Sequence, residues 1–212
     1  EAAAPGTATG KTSATPIAQT SGTPFNVTVN AVDANWNLVN TVTDVVGISS
    51  SDANAALPAS AALSGGTGMF PVVLKTAGTG TVTATDATDG LKPANTSPSI
   101  TVNAAAFAKL QILVPGEVAA PGTSTGKTGA PDPQTSGIAF NVTVKAVDAN
   151  WNIINTVSDN VSISSSDGSA VLPSPAALSS GTQTFAVTLK TGGTQTVTAT
   201  DGSDGAKTAS TS

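Results

Sequence analysis

Apolar and polar residues alternate without a break over residues 25–31: Phe25, Val27, Val29 and Ala31 point one way, Asn26, Thr28 and Asn30 the other. A two-residue period predicts a strand with one buried face. The same pattern returns at Phe140, Val142, Val144 and Ala146. Around it the chain repeats almost verbatim, FNVTVNAVDANWN at 25–37 against FNVTVKAVDANWN at 140–152, with Asn30 replaced by Lys145. Each copy joins a strand to a turn made of Asp, Asn and Trp.

The rest of the chain falls into register on that repeat. A second strand carries Val46 and Ile48, matched by Val161 and Ile163, and a third carries Phe70, Val72 and Leu74, matched by Phe185, Val187 and Leu189. Their outward neighbours change freely between copies, so the duplication itself separates inward from outward positions. Pro71 removes one ladder donor and places the third strand at an edge or beside a bulge. A turn at Gly78 or Gly193 returns the chain into TVTATD, with Val82 and Ala84 inward. Residues 99–103 and 109–114 read as the last strand of one repeat and the first of the next, and a short strand is expected near residue 55. About seven strands in about 100 residues predicts an all-β chain of two tandem immunoglobulin-like β-sandwiches. The expected repeats are residues 1–106, apparently without their first strand, and 107–212, apparently without their last. Glu1 aligns with Glu117, so the expectation is a window cut from a longer array.

Composition narrows the function. Five Phe, two Trp and no Tyr leave the core to Val, Ala, Leu and Ile. Only 10% of residues are charged, at a net charge of −5. All eight basic residues are scattered lysines, which gives nucleic acid no phosphate-binding patch and a membrane surface no basic helix. With no Cys, the domains rest on packing, hydrogen bonds or a bound ion. The Thr- and Ser-rich composition suggests an extracellular protein. With no His and no Cys there is neither a Ser-His-Asp triad nor a thiolate nucleophile, and the only glutamates are Glu1 and Glu117, so no enzyme is expected.

The run V-x-V-x-A-V-D-A-N-W-N, followed by L-x-x-G-T-x-x-F-x-V-x-L-K-T-x-G-T-x-T-V-T-A-T-D, resembles the bacterial immunoglobulin-like repeats of invasin- and intimin-type surface adhesins. In those repeats the turn usually reads Asp-Ala-Asn-Gly-Asn; here Trp36 and Trp151 stand in place of Gly, which tolerates the positive φ that Trp resists. The resemblance implies a rod-like tandem array on a bacterial cell surface.

Several motifs invite chemistry. Asp33, Asn35 and Asn37, with Asp148, Asn150 and Asn152, offer oxygens at alternate turn positions, and Asp86, Asp89, Asp201 and Asp204 add more in DATDG and DGSDG. These are candidate calcium ligands, and equally what turns select for their own capping. Trp36 and Trp151 either cap the sandwich end or contact a neighbouring domain or subunit. GTATGKT at 6–12 and GTSTGKT at 122–128 are one residue too short for a phosphate-binding P-loop and read as Gly/Thr loops. Lys11, Lys127, Lys75 and Lys190 read as solvated lysines, and the sequons at Asn26, Asn95, Asn141 and Asn160 as chance products of a Thr-rich chain. The expectation is a non-enzymatic structural module, a rod, stalk, sheath or filament whose partners are neighbouring repeats or identical subunits. The alternative is an adhesive module that binds glycan or protein through its turn loops.

Overall fold

The structure, a computed structural model, describes residues 1–12 and 15–212. It is all-β, and it divides into two compact units, Glu1–Asn103 and Ala104–Ser212. No helix among the described residues is long and apolar enough to cross a membrane.

The second unit is the more regular. One sheet runs β10 (Lys109–Leu113), β13 (Ala139–Val147), β16 (Thr182–Thr188); the other runs β15 (Ala176–Ala177), β14 (Asn160–Ser165), β17 (Val197–Asp201), β18 (Ser210–Thr211). A separate hairpin joins β11 (Glu117–Ala119) to β12 (Lys127–Gly129). The inward positions read from the alternation meet between the sheets. Val142, Val144 and Ala146 of β13 and Phe185 and Val187 of β16 form one cluster with Val161 and Ile163 of β14 and Val197 and Ala199 of β17. β10 supplies Leu110 and Ile112 to the same core.

The first unit repeats this plan with differences at its margins. Its sheets are β2 (Phe25–Asn30) with β5 (Thr67–Val72); β4 (Ala61–Ala62), β3 (Val45–Ser50), β7 (Val82–Asp86), β8 (Asn95–Thr96); and β1 (Gln19–Thr20), β9 (Ile100–Asn103), β6 (Gly78–Gly80). β5 is an edge strand, as Pro71 predicted: among the described residues β2 is its one strand partner, with isolated bridges from Thr67 to Ser64 and, just past the strand, from Val73 to Ala56. The short strand expected near residue 55 reduces to that bridge, and the strand itself forms at Ala61–Ala62, where it pairs with Val45 and Val46.

An Asp locks each unit. Asp167 Oδ2 accepts the N–H groups of Lys190 and Thr191 at 2.6 and 2.9 Å, while Oδ1 accepts the Ser169 N–H and the Thr191 hydroxyl at 2.9 and 2.8 Å. Asp52 does the same with Lys75, Thr76 and Asn54. The SSSD turn therefore grips the segment that follows β5 in one unit and β16 in the other. The N–H groups of Thr191 and Lys190, then Ser169, hold the Asp167 carboxyl well below the usual range. At Asp52 burial pushes upward, but the bonds from Thr76, Lys75 and Asn54 prevail and the carboxyl is again lowered.

Candidate functional site

The Asp-Ala-Asn-Trp-Asn turn follows directly from β2 and β13, and its geometry is the same in both units. Asp33 Oδ1 accepts the N–H groups of Asn35 and Asn37 at 2.8 and 2.9 Å, and Asn37 Nδ2 donates to both carboxylate oxygens. Asp148 binds Asn150 and Asn152 in the same way. These carboxylates serve the turn's own donors, the use for which Asp and Asn are selected in tight turns. The side-chain and backbone bonds from Asn37, then the Asn35 N–H, hold Asp33 below its ordinary value.

Trp36 and Trp151 complete the turn with φ of 64° and 69°. Trp thus takes a left-handed conformation that Gly adopts without steric cost, at a cost on the order of 1 kcal/mol. The ring supplies compensation. Gly10 and Gly126, themselves at φ of 69° and 75°, lie so close to the indoles that a Cβ on either would overlap the ring. The Gly/Thr loop is therefore a clamp for the Trp turn: the Gly6 N–H donates to the Asn35 carbonyl at 2.8 Å, and Gly122 to Asn150 at 2.7 Å. Within the loop the Gly10 and Gly126 N–H groups are taken by the Thr7 and Thr123 hydroxyls. An amide already bonded to the loop's own hydroxyl is not presented to a phosphate.

The two copies differ in what covers this turn. In the second unit Asp148 and Asn152 are fully buried, the Ala105 N–H donates to Asp148 Oδ2 at 2.9 Å, and Lys109 sits with Nζ 3.3 Å from the centroid of the Trp151 ring. Burial lowers the Lys109 pKa, opposed by the nearby Asp148 charge. In the first unit Asp33 and Asn37 are exposed.

The DATDG and DGSDG aspartates go elsewhere, to partners the sequence did not reveal. Asp86 lies against Asp44, and Asp201 against Asp159. Asp201 is 4% exposed; its Oδ1 accepts the Ser203 and Asp204 N–H groups, and among the described residues its Oδ2 meets no N–H donor, only the Asp159 carboxyl that faces Asp201. Burial, then the facing Asp86 or Asp201 carboxylate, pushes Asp44 and Asp159 above the ordinary carboxylate value. Asp204 pairs with Lys207 at 3.3 Å. Among the described residues no three acidic side chains come together as a metal-holding group, so the turn aspartates and the DATDG or DGSDG aspartates form no single site.

No family model and no curated protein matches the chain. Similar solved structures include the D0-D1 domain of intimin, 16% identical with a TM-score of 0.34, the match covering 92% of this chain and 91% of that one. The D00-D0 domain of intimin is 15% identical with a TM-score of 0.38, covering 92% of each. A β-glycosidase from Bacteroides vulgatus is 12% identical with a TM-score of 0.40; the match covers 91% of this chain but 22% of the enzyme.

Proposed function

We propose that the two units are non-enzymatic structural modules of an extracellular tandem array on a bacterial surface, whose partners are neighbouring repeats or identical subunits. The observation that supports this reading is duplication of the side-chain locks and turns for internal use. The Asp52 and Asp167 locks, the Trp turns and the Gly clamps occur in both units, and each is spent on its own fold. A recognition site would be expected to single out one copy. Immunogold electron microscopy of source cells, with antibody raised to this chain, is expected to label rods, sheaths or fibres outside the envelope. Label confined to the cell interior overturns the reading, and label at isolated contact points with a glycan or host protein favours the adhesive alternative.

A cation in this reading would sit at the Asp159–Asp201 pair rather than at the Trp turns, because the Trp-turn carboxylates are occupied by their own donors while Asp201 Oδ2 meets no N–H donor among the described residues. Calcium there would draw on the two carboxylates, carbonyls and water. Burial, then the facing Asp201 carboxylate, raises the Asp159 pKa above its unfolded value, so this pair favours the folded state at acid pH and loses that contribution as pH rises through the folded pKa. In chelator at neutral pH, Asp159→Asn is therefore expected to raise the melting temperature. Millimolar calcium is expected to raise that of the wild type and leave the variant unmoved; a wild-type melt insensitive to calcium removes the ion.

A further inference from the structure

Four Asp-Gly pairs occur in the chain, Asp89-Gly90, Asp167-Gly168, Asp201-Gly202 and Asp204-Gly205. Each Asp closes the same small turn: its Oδ1 accepts the N–H two residues on, from Leu91, Ser169, Ser203 and Ala206 at 2.9, 2.9, 2.8 and 2.9 Å. Such a turn folds the carboxyl back over the peptide that joins it to glycine. The carboxyl carbon then lies beside the glycine nitrogen, and glycine has no Cβ to crowd an approach. Three of the four pairs are guarded, each by a different device. The Asp167 oxygens are filled by the donors of Lys190, Thr191 and Ser169, which keep the carboxylate ionised. Asp201 is buried, and the Gly202 N–H is spent on the Asn160 carbonyl at 2.7 Å. Asp204 is held by the Lys207 ammonium at 3.3 Å. Asp89 has none of these guards. It and Gly90 are exposed, Leu91 beside them is 83% exposed, and Lys92, which stands where Lys207 does in the repeat, makes no ion pair among the described residues.

We infer that Asp89-Gly90 is a site of spontaneous isoaspartate formation, a covalent modification of the chain that needs no co-reactant beyond water. The Gly90 nitrogen attacks the neutral Asp89 carboxyl at Cγ. An N–Cγ bond forms, and the N–H proton and the Cγ hydroxyl leave together as water, giving a five-membered succinimide. Water then adds to either ring carbonyl. Addition at Cγ breaks the new N–Cγ bond and restores Asp. Addition at the main-chain carbonyl breaks its bond to the Gly90 nitrogen, so the backbone continues through Cγ and a free α-carboxylate stands beside it. One water leaves and one returns, with no change of mass or oxidation state. The neutral acid is the reactive form, because its hydroxyl can leave as water and a carboxylate oxygen cannot. Carboxylates kept ionised by their donors, as at Asp167 and Asp204, are therefore slow. A glycine whose N–H is bonded elsewhere, as Gly202 is, has to break that bond before its nitrogen turns to Cγ. The lengthened backbone falls between β7 and β8, where residues 87–94 are exposed, so the fold has room for it. The inference stands on this turn alone and does not depend on the proposed surface role.

The test ages the full chain at neutral pH and physiological temperature and maps isoaspartate by peptide separation with electron-transfer fragmentation, which tells the two backbones apart at equal mass. Isoaspartate is expected to accumulate at Asp89 about tenfold faster than at Asp167, Asp201 or Asp204, the factor that one or two guarding bonds supply. In denaturant the guards are gone, and the four pairs are expected to convert at similar rates. Gly90→Ala, whose Cβ enters open space in the fold but crowds the attacking nitrogen, is expected to abolish accumulation at Asp89 over the same period. Equal rates at the four pairs of the folded chain, a faster rate at any guarded pair, or an Asp89 rate unmoved by Gly90→Ala overturns the inference. So does an Asp89 that stays unconverted in the folded chain while the denatured chain converts it.

Discussion

Asp167→Ala is expected to lower the melting temperature of the second unit by on the order of 10 °C, and Asp52→Ala to do the same to the first. Alanine leaves the N–H groups of Lys190, Thr191 and Ser169 and the Thr191 hydroxyl without the acceptor they share. These bonds are part-buried, so water meets some of the freed donors, but losing four bonds to one carboxylate at once still outweighs an ordinary surface change. Asp167→Asn keeps the shape and one acceptor oxygen but puts an NH₂ against N–H donors, so it is expected to recover only part of the loss. Calorimetry, with amide exchange in β16 and β17 to assign the transition, measures it. An Asp167→Ala melt within a degree or two of wild type would show that the hairpin holds without the lock.

The lock also fixes a direction with pH. The Asp167 carboxyl is depressed in the fold, so its contribution is complete above the unfolded carboxylate pKa and is lost as pH falls through that value toward the folded one. Asp159 works in the opposite sense. Acid therefore weakens the lock while relieving the carboxylate pair, and the acid limb of the stability curve is expected to flatten in Asp167→Ala and steepen in Asp159→Asn.

What was legible in the sequence follows from the range of each interaction. Alternation found Phe70, Val72, Phe185 and Val187 because a strand's two faces are set by its own pleat, and all four are buried. Leu74 and Leu189 read alike, yet Leu74 is 1% exposed and Leu189 half-buried; Leu74 packs in a cluster with Ile100 and Val102 of β9. The Asx turn was visible as a motif, since Asp33 bonds residues two and four positions away. The clamp was not: Gly10 meets Trp36, and Asp44 meets Asp86, across stretches of chain whose pairing is decided by the fold. The duplicated GTxTGKT pointed to a loop with a fixed task, but only the positive φ of Gly10 and the indole against it say what that task is.

Gly126→Ala is expected to destabilise the second unit by about 2–4 kcal/mol, combining the left-handed φ on a residue with a Cβ and the overlap of that Cβ with the Trp151 ring. Gly6→Ala supplies the comparison: Gly6 has a φ of 75° and open space around its Cβ position, so only the backbone term remains, about 1 kcal/mol. Trp151→Gly restores an easy φ but forfeits the ring's contacts and its place beneath Lys109. In Gly126→Ala/Trp151→Gly the overlap is gone, so the double variant is expected to be more stable than the sum of the two losses. Additive losses from denaturant titration of the two single variants and the double would mean that clamp and ring do not act on each other. Sub-additive losses place the requirement for glycine at residue 126 on the indole, and by the same geometry at Gly10 on Trp36.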